Sequence, residues 1–159
     1  MQPLSRRCPI SRQRNNTLRD NLIRFQLRTR EDFESVRVGL GRVMRSLETS
    51  NSQYDCGEIE LVLAEVLNNV AEHGGDLSLK HPISIRWQEA DALCVSVVDS
   101  GGEIPIGTIT EAKMPGIETN PADLPEGGFG WALVDIICSE VHSRRRGSFN
   151  TLRLYFSKK

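Results

Sequence analysis

Hydrophobic and polar residues follow two different periods along the chain, and each change of period marks a new element. Alternation over residues 22–27 predicts a strand. Apolar residues at helical spacing then predict two amphipathic helices, from about residue 30 to 47 and from about residue 55 to 72. His73-Gly74-Gly75 is expected to end the second helix, because glycine adopts the left-handed conformation that commonly closes a helix.

The second half of the chain predicts two hairpins and a third helix, separated by a long irregular segment. Strands are predicted at residues 83–87, 93–98, 140–143 and 151–156, and an apolar helix at residues 131–138. Residues 102–127 are rich in Gly, Pro, Thr and Glu, and long connections of this kind are usually functional lids or disordered segments, so we interpret this one as a lid. The element order predicts an α+β fold, a two-layer sandwich with helices on one face of a mixed, mostly antiparallel sheet.

Composition restricts the class of protein. A chain of 159 residues, 38% hydrophobic and 26% charged, fits a single globular domain over residues 20–159 and argues against global disorder. No apolar run approaches the roughly 18–20 residues that cross a bilayer. The four cysteines are far apart and form no Cys-x-x-Cys pair, which favours reduced thiols in a cytoplasm, with Cys94 and Cys138 as small core residues.

The formal net charge of -1 is an average over unlike segments. Residues 1–19 contain five arginines and no acid, whereas the remaining residues contain 15 bases and 21 acids. This flexible basic tail has two interpretations, a disordered bacterial N-terminus or a mitochondrial transit peptide. The near-neutral total does not indicate a protein that binds nucleic acid directly.

Glu65 and Asn69 are four residues apart, so they project from the same side of the second predicted helix. Taken alone, such a pair is typical of an ordinary solvated helix face. Its chemistry is more specific, because an asparagine carbonyl oxygen suits a magnesium ion held mainly by water and phosphates. A glutamate one turn earlier can act as a general base, and the pair therefore suits nucleotide phosphoryl transfer.

Two glycine-containing segments add to this picture. A hydrophobic strand ends in Asp99-Ser100-Gly101, where the carboxylate can accept a hydrogen bond from an amino group such as that of adenine, although an ordinary turn has the same composition. Gly127-Gly128-Phe129-Gly130 begins the third predicted helix, where exposed amides can hold phosphates. The segment lacks the Gly-Lys-Ser/Thr ending of a P-loop.

The Glu65/Asn69 pair, the Asp99-Ser100-Gly101 segment and the glycine-rich start of the third helix occur in this order, with a lid between the second and the third. In this arrangement the chain resembles the GHKL superfamily of ATPases and kinases. Within it, the chain is similar to the small stand-alone anti-sigma factor kinases of bacteria. The resemblance covers about residues 20–157. It rests on residues 65–74 as the N box, Asp99-Ser100-Gly101 as the first glycine box and Gly128-Phe129-Gly130 as the second.

The resemblance implies that Glu65 is the catalytic base, Asn69 the Mg²⁺ ligand and Asp99 the adenine ligand, in a protein that binds ATP. The remaining nucleotide-binding residues that it implies are Gly101, Gly128, Phe129, Gly130 and Thr151. A glutamate at position 65 favours a serine or threonine acceptor, since histidine kinases of the superfamily usually have asparagine or a similar residue there.

The chain departs from the family pattern at three places where relatives contact the nucleotide. Gly102 is followed by Glu103 where another glycine is usual, and Phe149-Asn150-Thr151 replaces the favoured Gly-Thr-Thr. The lid has Lys113 as its single base against five acids. Because relatives often contact the triphosphate with basic lid residues, this lid is expected to hold ATP weakly or to order only when a partner docks.

The resemblance implies an anti-sigma factor that sequesters a sigma factor and phosphorylates a Ser/Thr of an antagonist protein, acting as a homodimer. The alternative is a nucleotide-binding partner switch without kinase activity. His73 is interpreted as a capping residue at the negative end of the helix dipole. Arg144-Arg145-Arg146 is expected in a turn at a solvated hairpin tip, with a contact to an acidic partner as the alternative.

Overall fold

Five strands and three helices make up the part of the chain that the computed structural model describes, which is residues 21–48, 53–103 and 129–159. The elements are β1 (Leu22–Phe25), α1 (Phe33–Glu48), α2 (Cys56–His73), β2 (Ile83–Glu89), β3 (Leu93–Asp99), α3 (Phe129–Ile137), β4 (Glu140–Arg146) and β5 (Phe149–Phe156), with a short 3-10 helix at Gly75–Leu79 after α2. The basic tail and all of the predicted lid beyond residue 103 lie outside the described residues.

The strands form one sheet in the order β1-β2-β3-β5-β4, and every pair of neighbours is antiparallel. Both predicted hairpins are present, β2 with β3 and β4 with β5. The long-range pairing of β3 with β5 joins them and sets Asp99 directly opposite Asn150. Directly opposed residues of an antiparallel pair lie on the same face, so these two side chains meet.

The helices pack on one face of this sheet, which confirms the predicted α+β architecture. Along β3, Leu93, Val95, Val97 and Asp99 are buried, and the residues between them are half-exposed on the opposite face. The buried stripe of α2 contains Ile59, Val62, Leu63, Val66, Leu67, Val70 and Ala71. These side chains join one hydrophobic core with α1 and α3. No helix among the described residues is long and apolar enough to cross a bilayer.

Side-chain caps fix where the first two helices begin. Asp55 precedes α2 and accepts hydrogen bonds from the backbone N of Gly57 (2.9 Å) and of Glu58 (3.2 Å). Asp32 precedes α1 and accepts from the backbone N of Ser35 (3.1 Å). Each carboxylate pairs with amides that have no partner within their own helix, and negative charge is favourable at this end.

The structure bears on three local predictions and corrects two of them. Helix α2 ends at His73 as predicted, and the glycine in the left-handed conformation is Gly75 (φ 61°), while Gly74 (φ -66°) stays right-handed. Cys138 belongs to the core as predicted, and burial raises the pKa of its thiol to about 12, but Cys94 lies half-buried on the opposite face of β3. Arg144-Arg145-Arg146 lies in strand β4 and not in a turn, because the chain reverses only at Gly147 (φ 59°).

Candidate nucleotide-binding site

A pocket opens between the C-terminal turns of α2, the end of β3 and the start of α3. Its lining comprises Asn69, Val70, His73, Gly74, Asp99, Gly102, Glu103 and Trp131. Residues of the N box and Asp99 of the first glycine box therefore surround one cavity, together with Trp131, which directly follows the second glycine box. His73 is the last residue of α2, as its interpretation as a helix-end residue requires, and it also lines the pocket.

Asp99 is the buried acid of this pocket, with 4% of its surface exposed. Its Oδ1 accepts hydrogen bonds from the backbone N of Gly101 (2.7 Å) and from Nδ2 of Asn150 (3.0 Å). Among the described residues both recorded hydrogen bonds fall on Oδ1, which leaves Oδ2 for a ligand donor. Burial raises the pKa of Asp99 above its ordinary value, although the two hydrogen bonds and the charge of Arg145 act in the opposite direction.

Asn150 holds this carboxylate and the turn after it, and the sequence patterns did not single it out as a site residue. Its Nδ2 also donates to the backbone O of Gly102 (2.7 Å). Its Oδ1 accepts from Nη1 of Arg145 (2.7 Å), which donates in addition to the backbone O of Gly101 (3.0 Å). Only 3% of the surface of Asn150 is exposed. The β4–β5 hairpin therefore holds the Asp99 carboxylate against the turn at Gly101 and Gly102 through a buried hydrogen-bond network.

Gly101 allows the turn after Asp99 to pack directly against the end of α2. A Cβ at Gly101 would lie 2.8 Å from Cα of Gly74, closer than real Cβ contacts, and 3.0 Å from Oδ1 of Asp99, which is also tight. The backbone N of Gly102 donates to the backbone O of Gly74 (3.2 Å), and Ser100 Oγ donates to the O of Leu77 (2.7 Å). The glycine therefore closes one wall of the pocket by backbone contact.

Asn69 lies one turn beyond Glu65 on α2, with both side chains half-buried. Its Nδ2 donates to the backbone O of Glu65 (2.8 Å). This contact fixes the amide so that its Oδ1 is the end left for another partner, and no donor to that oxygen is recorded within the described part of the chain. Asn69 lines the pocket, and a neutral carbonyl oxygen fits a magnesium ligand.

Glu65 is brought to the first turn of α3, where the second glycine box ends. A Cβ at Gly130 would overlap Oε2 of Glu65 and come within 3.2 Å of its Cδ. Glycine leaves room for the carboxylate in this position, whereas a larger residue would require the end of the Glu65 side chain to move away from the helix start. The contact between Glu65 and Gly130 was not predicted from the sequence, since it depends on how α3 packs against α2.

A family model described as "Histidine kinase-like ATPase domain" matches residues 28–156. This match covers most of the chain and includes every element from α1 to β5. The chain belongs to this family. Comparison with curated proteins gives no match. The family assignment indicates ATP binding and an ATP-dependent kinase or ATPase activity.

The residues of this histidine kinase-like ATPase domain fit a nucleotide with its metal. The Oδ2 of buried Asp99, which accepts no hydrogen bond from the residues that the structure describes, can accept one from an exocyclic amino group. The Oδ1 of Asn69 is the oxygen available to Mg²⁺. No cluster of three or more acidic, histidine or cysteine ligands was found within the described ranges. A metal at Asn69 would therefore take its other ligands from water and phosphate oxygens, as magnesium commonly does.

Not all predicted site residues meet in the ATPase domain's pocket. Thr151 pairs with Val98 of β3 and Arg144 of β4, on the sheet face opposite Asp99, so the structure does not bring its side chain to the pocket. Gly128 and the side chain of Phe129 lie outside the described residues. Asn150, next to Thr151, takes the inward position on β5.

Proposed function

We propose that this domain is a protein serine/threonine kinase that transfers a phosphoryl group from ATP to a hydroxyl of an antagonist protein. The observation that carries the proposal is the position of Glu65. Its carboxylate lies against Gly130 at the start of α3, one helical turn from Asn69, which lines the same pocket as Asp99. A base, a metal ligand and an adenine acceptor are the groups that such a transfer requires.

Each group has a separate part in the proposed reaction. Asp99 Oδ2 accepts a hydrogen bond from the 6-amino group of adenine and orients the nucleotide. Asn69 Oδ1 holds Mg²⁺, which when bound neutralises phosphate charge. Glu65 accepts the proton of the attacking hydroxyl while the hydroxyl oxygen bonds to the γ-phosphorus. The bond between the γ-phosphorus and the bridging oxygen of ADP breaks at the same time, so that ADP leaves as the phosphoester forms.

The biological setting that we propose comes from the resemblance to bacterial anti-sigma factor kinases. In that setting the domain sequesters a sigma factor, and phosphorylation of the antagonist controls its release. A cytoplasmic homodimer is part of the same proposal. The motifs that support it are the N box with glutamate at position 65 and the two glycine boxes in their order.

A nucleotide-binding switch without kinase activity is the second candidate. One observation favours it, namely that Glu103, two residues after the first glycine box, lines the pocket. A second carboxylate in the pocket would oppose the negative charge of ATP. In this alternative the nucleotide changes partner affinity, and no phosphoryl group is transferred.

Incubation of the full chain with γ-labelled ATP, Mg²⁺ and the antagonist protein separates the two candidates. In the kinase proposal the antagonist is labelled, and Glu65→Gln lowers the transfer rate about 10²-fold or more while ATP affinity changes little. Glu60→Gln is the matched control, because Glu60 is an exposed glutamate of the same helix and should leave transfer unchanged. Binding of ATP by the wild type without labelling of the antagonist would contradict the kinase and favour the switch.

A further inference from the structure

The arginine run of β4 divides between the two faces of the sheet. Arg145 turns inward to Asn150, whereas Arg144 and Arg146 lie on the outer face, away from the helices. We define the outer sheet face by these two residues together with Arg24 of β1, Arg86 of β2 and Arg153 of β5. Each of the five is exposed, and on β2 and β5 they alternate with core residues that face inward.

The arginines of the outer sheet face differ from those on the helix side in their partners. Among the described residues no ion pair is recorded for any of the five. On the helix side each of three arginines has an acid within 3.1 Å: Arg28 with Asp32, Arg30 with Asp76, and Arg37 with Glu34. Within the five described strands, Glu140 is the one acid that the register places on the outer face, and it pairs with His142 (3.1 Å).

The register gives these charges a regular spacing. Arg86, Ser96 and Arg153 lie directly opposite one another on β2, β3 and β5. Two strand spacings separate the arginines, which is roughly 10 Å. Ser96 and Thr151 form a half-buried floor of small side chains between the cations. Carboxylates two turns apart on a helix are about 10.5 Å apart, so an acidic helix matches this row.

The same face is poorly suited to nucleic acid. Binding of single strands uses aromatic rings whose faces are open to stacking bases. Here the Tyr155 ring already packs edge-on against His142, with 5.5 Å between ring centroids, and the Phe149 ring packs against His81 at 5.0 Å.

We propose that the outer sheet face is a docking surface for an acidic segment of a partner protein, whose carboxylates pair with Arg86, Arg153 and Arg144. Charge complementarity identifies this occupant, because unpaired guanidinium groups in a row favour paired carboxylates. The surface lies on the side of the sheet opposite the pocket. Docking there is therefore separable from nucleotide binding.

A fluorescein-labelled 15-residue peptide with glutamates seven positions apart is the probe, titrated with the full chain at 0.15 M salt. The double variant Arg86→Gln/Arg153→Gln should weaken binding roughly tenfold. Arg37→Gln/Arg45→Gln is the matched control, since it removes the same charge from exposed positions of α1, and it should stay within about twofold of the wild type. Ser96→Glu places an acid on the floor and should weaken binding as strongly as the double variant.

Unchanged melting temperature and ATP affinity establish that the variants are folded. Equal loss in both double variants, or no binding of the peptide by the wild type, would overturn the proposal. Equal loss would mean that the probe senses only total charge, including that of the basic tail. The proposal would also be overturned if the wild type bound a 20-nucleotide oligo-dT more tightly than the peptide and Arg86→Gln/Arg153→Gln abolished that binding. This result would assign the surface to single-stranded nucleic acid.

Discussion

Truncation of Asn150 tests whether the last hairpin sets the adenine-binding geometry. Asn150→Ala removes hydrogen bonds to Asp99 Oδ1 (3.0 Å), to Gly102 O (2.7 Å) and from Arg145 (2.7 Å). Arg145 is half-exposed and can turn to water, so the main loss is at the buried carboxylate and the Gly102 carbonyl. We expect a loss of about 2–4 kcal/mol in the free energy of unfolding. For a chain of this size that lowers the melting temperature by roughly 5–15 °C.

The effect on the ligand distinguishes positioning from stability alone. Without Asn150, Asp99 is held by the Gly101 amide, so its Oδ2 loses its fixed direction toward the pocket. Calorimetry below the melting transition should give at least about tenfold weaker ATP binding, and a much smaller change for purine riboside triphosphate, which lacks the 6-amino group. Thr151→Ala on the opposite face of β5 is the control and should alter neither affinity by more than about threefold.

The reasoning is refuted if Asn150→Ala retains the wild-type preference for ATP over the amino-free analogue. It is also refuted if Thr151→Ala abolishes that preference. The latter result would favour the role that the sequence resemblance gives to Thr151.

Three other perturbations have definite expected outcomes. Gly130→Ala should displace the flexible end of Glu65 and lower the rate of phosphoryl transfer about tenfold or more. The free energy of unfolding should change by under about 1 kcal/mol. A wild-type transfer rate would contradict the proposed position of Glu65. Asn69→Ala should remove the Mg²⁺-dependent part of ATP affinity in parallel titrations with and without the metal, and a retained metal effect would exclude it as the ligand. Arg28 hydrogen bonds hold the pKa of Asp32 well below its ordinary value, so this carboxylate stabilises the fold fully above the unfolded pKa of about 3.9 and stops doing so as pH falls. Urea unfolding from pH 7 to 3 should therefore show a steeper loss for wild type than for Asp32→Asn, and equal slopes would contradict this role.

Sequence periodicity was sufficient for the elements and the layer arrangement, because the buried stripe of α2 and the alternation of β3 are local patterns. It was not sufficient for the pairing of β3 with β5, which joins residues about fifty positions apart. That register brings Asn150 to Asp99. A signal for it does exist, since Leu152, Leu154 and Phe156 point inward and the strand period places Asn150 on the same face.

The contact of Glu65 with Gly130 could not be predicted for a similar reason. Sequence spacing places Glu65 and Asn69 on one side of α2, but it does not say which element faces them. The approach of α3 depends on core packing around Trp131 and Val134, which are far from the N box in the sequence. The run of arginines in β4 was likewise misplaced, because neither a polar composition nor the nearby Gly147 marks where a strand ends.

Asp99→Asn tests the central claim, that Asp99 binds the adenine amino group in this pocket, most directly. The asparagine Oδ1 can keep the hydrogen bonds from Gly101 and Asn150, while its Nδ2 presents a donor where the ligand also has one. Because the variant removes a buried charge whose pKa is raised by desolvation, the melting temperature should not fall. Isothermal calorimetry with Mg-ATP should show a loss of roughly 10- to 150-fold in affinity. Wild-type affinity in a folded Asp99→Asn protein would contradict the account.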